Sequence, residues 1–141
     1  MVAPPPFQPL GLDHAVLWVR DLPRARAWYC DVLGCRPAAA FPDIGMVHLW
    51  FGTITLGLWD LDDPASAYAR PSVAGGTNVD HLGLAVSAFD GAALRAHLAR
   101  HGVEIEKELH QHGARGFGHA IYIRDPWGNR LELKGPAPFP D

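Results

Sequence analysis

The sequence predicts an α+β chain of two tandem modules, each reading strand, helix, strand, strand, strand. Three observations carry that expectation. First, Leu12-Asp13-His14-Ala15-Val16-Leu17-Trp18-Val19 is echoed by Val79-Asp80-His81-Leu82-Gly83-Leu84-Ala85-Val86. Each copy is an apolar residue, Asp-His, and a short apolar run that suits a buried strand. Second, a helix-compatible stretch follows each copy, and the spacing from the histidine to the closing glycine, Gly34 or Gly102, agrees to within one residue. Third, three more strand-like runs complete each half.

Taken in order, Asp21 is a good N-cap for a helix over Leu22–Leu33. Strands are expected at 36–41, 46–51 and 53–59, the last pair joined through Gly52. The second helix opens near Ser87 or Asp90, and strands follow at 104–109, 119–124 and 130–134. The last two are joined by Asp125-Pro126-Trp127-Gly128-Asn129, where proline fixes φ and glycine supplies a turn conformation. The modules therefore occupy 11–61 and 78–134. A linker with Pro64, Pro71 and Gly75-Gly76 is expected at 62–77, with extended proline-rich arms at 1–10 and 135–141.

A chain of 141 residues with 48 % apolar and 19 % charged content can bury one real core. Its net charge of −3 offers no field to hold nucleic acid or an anionic membrane. No apolar run reaches the length of a bilayer span, and the N-terminus shows no export signal, so a cytoplasmic setting is expected. Cys30 and Cys35 form neither a CxxC motif nor a disulfide framework, and read as reduced thiols.

Side chains alternate faces along a strand, so residue parity sorts the predicted strands. Ala15, Leu17 and Val19, Leu82, Leu84 and Val86, and Leu131 and Leu133 form aliphatic faces suited to packing under the helices. His14, His81 and Glu132 fall on the opposite faces, and Gly83 and Ala85 leave open space beside His81. Trp18, Trp50, Trp59 and Tyr122 share that side, an aromatic wall suited to a planar or apolar substrate. Each tryptophan alone is equally explained as ordinary core. His48 lies there too, as a substrate contact or a structural strand residue. His97, His101 and His110 read as solvated.

The two phased Asp-His openings and Asp125-Pro126-Trp127-Gly128-Asn129-Arg130-Leu131-Glu132-Leu133 resemble the vicinal-oxygen-chelate superfamily. That group holds glyoxalases, fosfomycin-resistance transferases, bleomycin-binding proteins and extradiol dioxygenases. The resemblance covers Gly11 to Lys134 and implies two βαβββ modules curled into a half-barrel around a metal. By position it implies His14, His81 and Glu132 as metal ligands, with open coordination positions that suit Fe(II) and also admit Mn, Zn or Ni. It implies a small substrate held through two adjacent oxygens, and a homodimer, with the metal site within one chain or shared between two. One departure stands out: Gly57 occupies the place where glyoxalase I carries a fourth, carboxylate ligand, and Thr55 is a poor substitute.

Around His112-Gly113 and Tyr122 the sequence is similar to extradiol dioxygenases. This implies that Tyr122 hydrogen-bonds a substrate oxygen and that His112 is an acid–base residue, unless His112 belongs to a glycine-rich surface loop. Ring-opening dioxygenation is thus the first expectation. A lyase, isomerase or epoxide-opening transferase on the same site is the second, and a non-catalytic drug-binding protein the third.

Overall fold

Asp21 caps α1 (Leu22–Leu33) by accepting the Arg24 N–H at 3.3 Å, and Gly34, at φ 70°, closes it by donating to Cys30. Asp90 caps α2 (Gly91–Arg100) in the same way, accepting from Ala93 N at 2.8 Å. The computed structural model describes residues 8, 10–69 and 79–138. Around the helices run β1 (His14–Val19), β2 (Arg36–Phe41), β3 (Met46–Phe51) and β4 (Ile54–Asp60), then β5 (Leu82–Ala85), β6 (Ile105–Gln111), β7 (Gly118–Arg124) and β8 (Arg130–Lys134).

Each module forms a four-stranded mixed sheet, in the orders β1-β4-β3-β2 and β5-β8-β7-β6. The first strand of each module lies parallel to its last, and the remaining pairs are antiparallel. The helix is the crossover that lets a parallel pair form. The expected α+β architecture is present, as two open sheets of identical topology.

Parity places the core as expected. Leu49, Leu56 and Leu58 of the first sheet and Leu84, Ile121, Ile123, Leu131 and Leu133 of the second join Tyr29, Val32 and Leu98 of the helices in one buried cluster. The helix faces of both modules thus share a single core, and the opposite sheet faces are left for chemistry.

The turn between β7 and β8 fastens the modules together. The buried Asp125 carboxylate accepts from Trp127 N at 2.9 Å, Asn129 N at 2.8 Å, Asn129 Nδ2 at 2.7 Å and the Tyr29 hydroxyl of α1 at 2.7 Å. Asn129 Nδ2 also donates to the Trp18 carbonyl of β1 at 3.0 Å. Burial, and then the Asp125 charge, push the Tyr29 phenol far above its ordinary value. The Asp-Pro-x-Gly-Asn segment is therefore a structural clasp, with Glu132 carried just beyond it.

Two expectations differ in detail. β5 begins at Leu82, paired with Leu131 of β8, and the Asp80-His81 opening stands just before the ladder. The predicted linker opens with a 3-10 helix, Pro64–Ala69, whose Tyr68 packs edge-on against Trp59 at 5.9 Å. The rest of the linker to residue 77, most of the N-terminal arm and residues 139–141 lie outside the described residues.

Candidate metal centre

His81 stands immediately before β5 and Glu132 in the middle of β8, and the parallel register that pairs Gly83 with Glu132 brings the two together. His81 Nε2 lies 3.0 Å from Glu132 Oε2. The other ring nitrogen, Nδ1, is 2.7 Å from Asp80 Oδ2, which orients the ring so that Nε2 points at the glutamate. Glu132 is only 5 % exposed, and its Oε1 has no hydrogen-bond partner among the described residues. A buried carboxylate oxygen without a partner is costly, and a cation would satisfy it.

Charges around the pair hold it in shape. Arg130 donates to Asp80 at 2.9 Å and to Glu106 at 2.6 Å. The hydrogen bond from His81, and then the Arg130 cation, hold the Asp80 carboxyl below its usual range. Tyr122, across from Glu132 in the β7–β8 ladder, sits edge-on to His81 at 5.3 Å. Desolvation, and then the charge of Glu132 and a hydrogen bond with it, raise its phenol above the ordinary value, against a lowering by Gln111 and the Arg130 charge. The Arg130 guanidinium lies 4.8 Å from the Tyr122 ring centre and Lys107 Nζ 5.6 Å from it.

The first module repeats half of this arrangement. His14 Nδ1 is 2.7 Å from Asp13 Oδ1, and its side chain is 52 % exposed. The pairing of Val16 with Gly57 matches that of Gly83 with Glu132, so Gly57 stands where the second module has its carboxylate. The His14 ring lies 6.3 Å from that of His48, between centres. Among the described residues, no three His, Cys, Asp or Glu side chains converge to hold a metal. The chain thus brings His81 to Glu132 and leaves His14 on its own sheet. Two clefts of about 580 and 530 Å³ reach His81, and His14 lines neither.

The other expected residues divide. Trp18 and Trp59 stack at 4.9 Å with an interplanar angle of 9°, and Trp59 Nε1 donates to the Ile44 carbonyl at 2.7 Å. Trp50 is 41 % exposed and pairs with Thr55, at the far end of the sheet from the Met46–Trp59 pair. His112 lies in the exposed loop after β6 with its ring against Phe117 at 4.8 Å, so the structure does not join it to Tyr122. β6 runs two residues beyond the expected end and turns Lys107, Leu109 and Gln111 to one face. Asp13, Asp80 and Arg130 were missed as orienting groups.

A family model described as Glyoxalase/Bleomycin resistance protein/Dioxygenase superfamily matches residues 11–133. The chain belongs to this superfamily. Superfamily members typically use divalent metals, bind small molecules and often form dimers. Among solved structures, an integron cassette protein from the mobile metagenome of V. cholerae is similar at 26 % identity and TM-score 0.69, covering 93 % of this chain and 98 % of its own. Lactoylglutathione lyase from Agrobacterium tumefaciens is similar at 24 % identity and TM-score 0.62, with 90 % and 94 % covered. The fosfomycin resistance protein FosX from Listeria monocytogenes has 17 % identity and TM-score 0.66, with 93 % and 97 % covered. At these last two identities the likeness is one of fold. No curated protein matches by sequence. Among the described residues, no helix of this superfamily member is long and apolar enough to cross a membrane.

Proposed function

We propose that two copies of this chain build a divalent-metal centre from His14 of one copy and His81 and Glu132 of the other. A small substrate binds there through two adjacent oxygens. The carrying observation is the buried Oε1 of Glu132, without a partner among the described residues and set beside a histidine whose other nitrogen is already committed to Asp80. The donor set fits: two imidazoles and a carboxylate suit Fe(II) and accept Mn, Zn or Ni. The half-sites are complementary: Gly57 stands where the first module would carry a carboxylate, and among the described residues Glu132 Oε1 has no partner. The same face of the first sheet exposes Val16 and Trp50, apolar area that a second copy would cover.

When bound, the metal acts as a Lewis acid toward the chelated oxygens. The chain's own groups do the rest. Tyr122, a phenol that keeps its proton at neutral pH, donates a hydrogen bond to a substrate oxygen beside Glu132. The parallel Trp18–Trp59 pair offers a flat apolar wall. Ring-cleaving dioxygenation of a catechol is the first reaction proposed for such a site. The packing of His112 on Phe117, outside the Tyr122 environment, favours a second reading: a lyase, isomerase or epoxide-opening transferase.

Glu132→Ala tests the centre. The variant is expected to lose its bound metal, and an unchanged metal stoichiometry would remove the proposal. Oxygen uptake with a catechol panel separates the reactions: uptake supports ring cleavage, and its absence in metal-loaded protein favours the second reading.

A further inference from the structure

The modules repeat their strand registers as well as their order. In the second, Tyr122 faces Glu132 across β7–β8 and Glu132 faces Gly83 across β5–β8. In the first, His48 faces Gly57 across β3–β4 and Gly57 faces Val16 across β1–β4. Gly57 is therefore the counterpart of Glu132, and His48 the counterpart of Tyr122.

The absent side chain at Gly57 does not leave a void. A Cβ placed there would meet Cδ2 and Nε2 of His48, each at 3.3 Å, and Val16 Cγ2 at 3.1 Å. From standard bond lengths, a glutamate's carboxylate oxygens lie roughly 3–4 Å from its own Cβ. Nε2 of His48 thus lies as far from that Cβ as the oxygens of a glutamate at position 57 would. Phe41 packs edge-on to the His48 ring at 4.9 Å and steadies it, and the His14 ring lies 6.3 Å away at an interplanar angle of 30°. Among the described residues, neither His48 ring nitrogen has a hydrogen bond or an ion pair. The glycine makes the room, and an imidazole with an uncommitted nitrogen fills it.

We propose that His48, through Nε2, supplies a fourth donor to the metal centre in place of the carboxylate that the first module lacks. The inference rests on the two-copy centre proposed above and specifies its donor set as three imidazoles and one carboxylate. Exchanging a carboxylate for an imidazole removes a negative charge. It shifts preference away from hard, oxygen-seeking ions toward Fe(II), Co(II), Ni(II) or Zn(II).

The test is titration of metal-free protein with Co(II), followed by calorimetry and by the visible absorption of the bound ion. The proteins compared are the native chain, His48→Ala, His48→Ala with Gly57→Glu, and Glu132→Ala. The native chain is expected to bind Co(II). His48→Ala is expected to weaken binding at least tenfold, since loss of an outer-shell partner alone costs that much, and to change the spectrum. The double variant is expected to regain affinity with a spectrum altered by oxygen in place of nitrogen, a rescue that misfolded protein could not show. If His48→Ala keeps native affinity and spectrum while Glu132→Ala loses both, the fourth donor is refuted and the two-copy centre stands. Weakened binding that Gly57→Glu fails to restore, with a lowered melting temperature, assigns His48 to packing and likewise refutes it. A native chain that binds no Co(II) refutes both.

Discussion

His14 and His81 each commit one ring nitrogen to the aspartate that precedes them, Asp13 or Asp80, at 2.7 Å. Neighbours in a strand normally point to opposite faces, yet both pairs sit at strand openings, where the chain is free to fold the carboxylate round to Nδ1. The two Asp-His pairs were legible as a repeat, but the hydrogen bond was not, because it depends on rotamers, which at Asp80 the Arg130 charge helps to hold. Asp80→Asn removes the charge that orients His81 and is expected to lower metal affinity by about 10- to 100-fold with little change in fold, measured by metal titration. Tyr122→Phe is expected to leave metal binding intact and to lower turnover by roughly 100-fold, the scale of a positioned proton donor. Loss of metal from that variant would mean the phenol supports Glu132 rather than substrate.

At the scale of elements, the β7–β8 turn does more than reverse the chain. Asp125 gathers two backbone N–H groups and an amide from its own turn and a phenol from α1. The proline and glycine of this turn were legible as turn chemistry, but its reach to Tyr29 and Trp18 was not, since those partners are distant in the chain. Asp125→Ala leaves the Tyr29 hydroxyl and several turn donors buried without an acceptor. It is expected to destabilise by about 3–5 kcal/mol, lowering the melting temperature by roughly 10 °C. Tyr29→Phe removes a single bond and is expected to cost about 1–2 kcal/mol. A thermal melt of Asp125→Ala that matches the native protein would mean the clasp is incidental.

At the scale of the molecule, both modules share one core, and groups locked in that core govern alkaline stability. Burial, and then the Cys30 charge, push the Cys35 thiol from 9.0 up to about 12. The Tyr29 phenol is raised as well. In the unfolded chain both acids lose their protons at lower pH than in the folded one. Their contribution is therefore whole below about pH 9 and declines as pH climbs toward 12. Denaturant melts across that range are expected to show a falling midpoint, and a flat profile would place both groups in contact with water. Assembly has its own measurement. In mixed dimers of His14→Ala and Glu132→Ala subunits, a site shared between copies survives once in each mixed pair, so random mixing is expected to restore roughly a quarter of the native metal. Sites confined to single chains would restore none.

By itself the sequence determined the two modules, the helix limits set by Asp21 and Gly34, and the faces on which His14, His81 and Glu132 fall. Caps, turns and strand parity act over a few residues, and such short-range rules are written directly in the residue order. Only the tertiary structure decided that His81 meets Glu132 while His14 stands apart, that His112 packs on Phe117, and that His48 fills the space over Gly57. Those outcomes depend on strand register and on how one sheet lies against another, which distant contacts fix.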